Sequence, residues 1–191
     1  TTSGVITVDN TPIDQLNLKD LRTSIGYVPQ EAFLFSDSIK ENIKFGNNNA
    51  TDAQVIQAAK DAVVHNNIVD FSKGYDTILG ERGITLSGGQ KQRVSIARAI
   101  IKDPQILLFD DSLSAVDTET EEEILSNLKK VAATKTTILV SHRISSAKNA
   151  DKIIILEEGE IIQRGTHADL IAEEGYYQEL YRKQLDEKEM E

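Results

Sequence analysis

The stretch ITLSGGQKQRVSIARAII, Ile84–Ile101, decides how the rest of the chain is read. Leu86-Ser87-Gly88-Gly89-Gln90 is a turn, and Val94, Ala97 and Ile101 then recur at helical spacing to bury one face. Ser87 is a good N-cap, and the two glycines let a backbone come close to a ligand. A helix that begins here carries unpaired N–H groups and about half an elementary positive charge at its start, which suits a phosphate group. On residue types alone, an ordinary capped helix after a Ser-Gly-Gly loop is an equal reading, since glycine loops are common. The pentapeptide is more specific: with typical residue usage, a given five-residue string occurs in a chain this long with a probability on the order of 10⁻⁴.

At 191 residues the chain is long enough for one domain with a real core and a smaller attached lobe, not for two independent domains. Hydrophobic residues at 39% place it among ordinary globular proteins, and no run approaches the length of a bilayer-spanning helix. The net charge of −10 argues against a broad nucleic-acid surface, so any nucleotide is held locally. The absence of cysteine excludes disulfides and thiolate metal sites but identifies no compartment. The chain opens at Thr1, has its one methionine at Met190, and begins with an apolar run that is strand-like and not a signal peptide; it is expected to be a segment of something longer.

Along the chain, Gly4–Asp9 is rich in β-formers and runs into the turn Asn10-Thr11-Pro12, as at the edge of a small antiparallel sheet. Leu18–Ser24 has room for about two helical turns, and Ile25-Gly26-Tyr27-Val28 reads as a short buried strand closed by Pro29. Gln30 follows; taken alone, an amide at a strand exit is more often a loop hydrogen-bonder than a ligand. Thr51-Asp52-Ala53-Gln54 starts a helix whose stripe of Val55, Ala58, Ala59, Ala62 and Val63 carries it to about Val64. His65 reads as a helix-end or surface histidine and Lys73–Asp76 as a turn.

Ile106-Leu107-Leu108-Phe109 has the continuous apolar pattern of a strand covered on both faces, and it ends in Asp110-Asp111. Carboxylates at the carboxyl end of a buried strand sit where open α/β sheets bind ligands and where a hard cation finds oxygen ligands, although a cap or turn is the commoner use of such a pair. Thr118 or Thr120 can cap the next helix, with Glu119 and Glu121–Glu123 suiting its positive end and Ile124, Leu125, Leu128 and Val131 its buried side. That acidic run reads as helix chemistry, not catalysis. Thr136–Val140 is another β-branched strand, and it delivers Ser141-His142-Arg143 to its carboxyl end, making one rim with Asp110 and Asp111. Alone, His142 divides evenly between a structural and a functional role. Lys152–Leu156 and Ile161–Gly165 around Gly159 read as a hairpin; from Thr166 onward the sequence is helical, with His167 capping or solvated and the charged tail a surface helix.

In order and spacing, from Gly4 to about Leu180, these segments resemble the ATPase domain of ATP-binding-cassette (ABC) exporters. LSGGQ with KQRVSIARAI resembles the family's signature sequence; Val28-Pro29-Gln30, with Phe33–Ser36 and Ile39–Ile43, its Q-loop region; Gly80-Glu81-Arg82-Gly83 its X-loop; Ile106–Asp110 its Walker B strand; Ser114–Asp117 its D-loop; and His142 its switch histidine. The resemblance implies an α/β fold: a RecA-like core of mostly parallel strands at 1–32 and 102–191, a helical subdomain at 33–101 and a small antiparallel β edge, truncated at the N-terminus.

By the same resemblance the chain would bind and hydrolyse ATP with Mg²⁺ to power export at the cytoplasmic face of a membrane, with a second cassette and a transmembrane domain as partners and no nucleic acid. Asp110 and Gln30 would hold the metal, Gln30 and Asp111 would face the attacking water, and His142 the γ-phosphate. Ser87, Gly88, Gly89, Gln90 and Asp117 would bind nucleotide across a cassette dimer.

Two departures qualify this expectation. No G-x-x-x-x-G-K-[ST] occurs, so the family's Walker A loop is missing and the chain alone is expected to be inactive. Asp111 stands where the family has glutamate; one methylene fewer draws the carboxylate back by about 1.5 Å, and misplacements near 1 Å can cost on the order of 10²-fold in rate. A complete signature beside a shortened base resembles the degenerate-site half of heterodimeric exporters. Two alternatives remain: a soluble ABC ATPase of the chromosome-maintenance or DNA-repair type, against which the lack of a heptad array counts, and a non-catalytic, nucleotide-gated dimerisation module.

Overall fold

The computed structural model describes residues 3–80 and 85–189, and six of its described α-helices begin directly after a residue whose side chain caps them. Thr7–Val8 (β1) and Thr11–Pro12 (β2) pair antiparallel around Asp9 and Asn10, both at positive φ, the geometry of a type I′ turn that Asp and Asn tolerate. The strand expected over Gly4–Asp9 is therefore only two residues long, and Thr11-Pro12 pair with it instead of turning. Asn17 caps Leu18–Ser24 (α1), accepting from the Lys19 and Asp20 N–H groups, and the chain passes directly into Ile25–Val28 (β3).

Ser38 caps Ile39–Lys44 (α2), and a Thr51–Gln54 capping box opens Asp52–Asp61 (α3). That helix stops short of the expected Val64 because Val63 turns to φ +54°. His65–Val69 (α4) and a 3₁₀ turn at Gly74–Asp76 follow, with His65 Nδ1 2.8 Å from the Tyr75 hydroxyl. Gly88–Ile101 (α5), Ile106–Asp110 (β4), Thr118–Val131 (α6), Thr136–Val140 (β5) and Ile144–Ala147 (α7) form the central run. Ile153–Glu157 (β6) and Glu160–Gly165 (β7) make the expected hairpin, and His167–Ala172 (α8) and Tyr176–Glu189 (α9) close the described chain.

Strands β3, β4 and β5 form one parallel sheet in that order, with Tyr27, Leu108 and Ile138 in register on one face and Val28, Phe109 and Leu139 on the other. The second face is buried: Val28, Leu107 and Phe109 share a cluster with Val94, Ile96 and Ala97 of α5 and with Ile124 and Leu128 of α6. The run Ile106–Phe109, expected to be covered on both faces, is fully covered only on this one, and Tyr27 and Ile138 on the other are each half exposed. Gly26 lets the sheet approach α5, since a Cβ there would stand 3.0 Å from the Ala99 carbonyl oxygen.

Ile144, Ile153, Leu170 and Tyr177 form a second small core. The C-terminal helix is thus anchored and not merely superficial: Tyr177 is fully buried, and its hydroxyl lies 2.8 Å from Nδ1 of His167, which also packs edge-on against Tyr181. His167 is neither a cap nor solvated; the cap of α8 is Thr166.

Candidate functional site at the sheet rim and the start of α5

Three parallel strands put their carboxyl ends along one edge, and that edge collects four of the residues singled out by sequence. β3 delivers Gln30, β4 delivers Asp110 and Asp111, and β5 delivers His142. The Gln30 amide nitrogen donates to Asp111 Oδ2 at 3.3 Å, and the Tyr27 hydroxyl donates to Asp110 Oδ2 at 3.0 Å. The bond to Asp110, then desolvation, then the charge of Asp110 raise the Tyr27 pKa above its ordinary value. Asp111 sits at φ +45°, a left-handed conformation uncommon outside glycine, and its N–H donates to the Val140 carbonyl at 2.9 Å. This turns its carboxylate out of the sheet towards Gln30. His142 is exposed, and its carbonyl accepts from Gln184 Nε2 at 2.9 Å.

At the second group, Ser87 caps α5 as expected. Its hydroxyl accepts from the Gln90 N–H at 3.2 Å while Gln90 Oε1 accepts from the Ser87 N–H at 3.0 Å, a complete capping box. Gln90 is therefore occupied by the cap, and Ser87 and Gly88 stay exposed. Gly89 lies against the loop after β4, where an added Cβ would stand 3.0 Å from the Ala115 carbonyl oxygen.

Asp117, and neither Thr118 nor Thr120, caps α6 by accepting from the Thr120 N–H at 2.9 Å. That backbone hydrogen bond and the Thr120 hydroxyl, with a smaller contribution from Arg93, hold its carboxyl below the usual range. Gly89 against Ala115, and Arg93 close enough to act on the Asp117 carboxyl, place the start of α5 beside the loop that leads into α6. Of the Gly80–Gly83 loop, Glu81, Arg82 and Gly83 lie outside the described residues.

Residues that the sequence did not single out join these parts. Gln92, buried in α5, donates to the Gln30 carbonyl at 2.8 Å and the Pro29 carbonyl at 3.2 Å, so the helix that starts at the signature also fixes the loop carrying Gln30. Arg143 donates to the carbonyls of Val116 at 3.0 Å and Ser114 at 2.8 Å and to the buried carboxylate of Glu121. Two of these were signalled by position: Gln92 shares a helical stripe with Ser95 and Ala99, and Glu121 shares one with Ile124 and Leu128.

Beside the His142 imidazole the rim offers oxygen ligands, two adjacent carboxylates and an amide, which fit a hard divalent cation that keeps waters and shares itself with phosphates. Among the described residues no group of three or more His, Cys, Asp or Glu stands together, so no all-protein cage is present. The capped start of α5, with Ser87 and Gly88 exposed, fits a phosphate group.

The family model described as ABC transporter matches residues 1–114. The chain is 51% identical over 187 residues to the uncharacterized ABC transporter ATP-binding protein YknU of Bacillus subtilis, covering 98% of this chain and 32% of that protein. It is 47% identical over 181 residues to the probable multidrug resistance ABC transporter ATP-binding/permease protein YheI of the same organism, covering 95% of this chain and 31% of that protein. Among solved structures, a bacterial Atm1-family ABC exporter with ATP bound superposes with a TM-score of 0.91 at 44% identity, covering 96% of this chain and 32% of that one. The chain spans about a third of the length of these relatives.

Proposed function

Because this chain belongs to the ABC transporter family, we propose that it is the ATP-hydrolysing part of an exporter, working at the cytoplasmic face of a membrane with a second cassette and a transmembrane domain. The observation that carries this reading is the rim itself: Gln30 against Asp111 and Tyr27 against Asp110 at one sheet edge, on a chain that also presents the open, capped start of α5. A carboxylate rim suited to a cation and an exposed, capped helix start suited to a phosphate suit two half-sites, each completed by another cassette.

ATP with Mg²⁺ supplies the phosphoryl group and the bridging charge. Asp110 and the Gln30 amide oxygen would hold the cation, and Asp111 would take a proton from the water that Gln30 orients. His142 would hydrogen-bond a terminal phosphate oxygen. Ser87, Gly88 and Gly89, through the hydroxyl and the N–H groups of α5, would hold the nucleotide of the partner cassette, with Gln90 shaping the turn and Asp117 at the same interface. Residues 33–101 act as the helical subdomain that meets the transmembrane partner. The 191-residue chain on its own, carrying no Walker A motif, is expected to be inactive.

Asp111 supports reading this chain as the slow, degenerate-site half of a heterodimer. It also favours a second reading, in which ATP only gates pairing of two cassettes. The test is ATP turnover in the full-length protein with its partner. His142→Ala and Gln30→Ala are each expected to lower turnover at this chain's site by about 10²-fold or more. Unchanged turnover in both would remove the catalytic reading, and ATP-dependent pairing without single-turnover hydrolysis would select the gating module.

A further inference from the structure

One side chain of the C-terminal helix grips the backbone on both sides of Arg143. Gln184 Nε2 donates to the His142 carbonyl at 2.9 Å, and Gln184 Oε1 accepts from the Ile144 N–H at 2.9 Å. We propose that Gln184 is a positioning residue for His142: α9 fixes where the imidazole stands on the rim, and the proposal rests on the reading of His142 as the phosphate-facing group.

Among the described residues no hydrogen bond reaches the His142 imidazole, and the residue is exposed, so its backbone sets where the ring can go. That backbone is held downstream by Ile144, which is buried in the small core with Leu170 and Tyr177, and locally by the Ser141 hydroxyl, which accepts from the Arg143 N–H at 3.0 Å. Gln184 supplies the one side-chain bond made to His142 itself among these residues.

The helix that carries Gln184 is itself anchored. The Tyr177 N–H donates to Gln163 Oε1 at 2.9 Å, the Tyr177 hydroxyl pairs with His167, and residues 177, 181 and 184 recur on one helical face. A donor and an acceptor on one short amide therefore translate the position of α9 into the position of the switch segment. An error of 1 Å at such a group costs up to about 10²-fold in rate.

The test uses the full-length protein with its partner cassette and measures ATP turnover at this site for Gln184→Ala, His142→Ala and the double variant. Gln184→Ala is expected to lower kcat about tenfold with KM for ATP within about twofold, because the lost interaction acts in the transition state. In the His142→Ala background the same change should add nothing. Gln184→Glu keeps the acceptor for the Ile144 N–H and loses the donor to His142, so it should lower kcat in the same way with α9 still docked. It carries the comparison if Gln184→Ala does not fold.

Losses that multiply in the double variant, or a normal kcat in both Gln184 variants while His142→Ala is inactive, would overturn the positioning role and leave His142 untouched. Normal turnover in His142→Ala would instead remove the reading beneath it.

Discussion

The Arg143 guanidinium donates to Glu121 Oε2 at 2.7 Å, and Glu121 is completely buried. The other carboxylate oxygen accepts from the Ser145 hydroxyl at 3.0 Å and from the Ser146 hydroxyl. With Arg143 also bonded to the Ser114 and Val116 carbonyls, one cation ties the loop after β4, helix α6 and the segment after β5 into a single unit. Both carboxylate oxygens have donors and one of those donors is a cation, which is the condition under which a buried charge is tolerated.

Removing the cation alone should therefore be costly. Arg143→Met leaves Glu121 buried and unpaired, a change worth about 3–5 kcal/mol. The Arg143 side chain is 36% exposed, so water reaches it and the lower end, about 3 kcal/mol, is expected. Glu121→Leu combined with Arg143→Met should recover part of this loss, since no orphaned charge remains. Urea unfolding midpoints measure both; a loss below about 1 kcal/mol in Arg143→Met would mean that the pair contributes as little as a surface bridge.

The cap of α5 allows stability and ligand binding to be separated. Ser87→Ala removes the hydroxyl that accepts from the Gln90 N–H and should cost about 1 kcal/mol. Ser87→Asp restores a good cap but sets a negative charge where a phosphate is proposed to bind. The expected result is near-native unfolding with loss of ATP-dependent pairing. If Ser87→Asp pairs normally in ATP, the start of α5 serves only as a helix cap.

What the sequence disclosed and what it concealed divide along the range of the interactions. Ser87, Gln90 and the stripe Val94, Ala97, Ile101 act within one helix, so α5 was legible to the residue; β3 and β5 were equally so. The rim was legible because parallel strands must end together. Glu121 was hidden by its neighbours: Glu122 and Glu123 are exposed, and an acid in the first turn of a helix has an adequate local explanation. Tyr27 and Asp110 are 83 residues apart and Gln184 and His142 are 42 apart, and no local pattern encodes such a partner. The N-terminal strand was read too long because Asp9 and Asn10 turn the chain directly after Val8 and the partner beyond that turn is only the two residues Thr11 and Pro12.

Alkaline pH should report on the packing of the lobe around Tyr75. Burial pushes its hydroxyl up to about 12 from 10.0. The folded state holds this proton more tightly than the unfolded chain, so the associated stability is whole below pH 10 and drains as pH rises through about 12. Tyr75→Phe should be less stable or equal at neutral pH yet lose less between pH 10 and 12 than the parent does. Denaturant midpoints across that window test this, and parallel pH curves for the two proteins would contradict it.

On the proposed function, Asp111 sets how fast the site works. Its left-handed backbone and its bond to the Val140 carbonyl fix where the carboxylate begins, and the Gln30 amide at 3.3 Å shows how far it reaches. Asp111→Glu lengthens the reach by about one C–C bond without changing charge, which is the size of displacement that alters rates by about 10²-fold. With the partner cassette's own base disabled, single-turnover hydrolysis in the full-length protein should rise by one to two orders of magnitude, while KM for ATP stays near that of the parent because the added contact is to water and not to nucleotide. If turnover does not move, the slow step lies outside the carboxylate, and the degenerate-half assignment loses its physical basis.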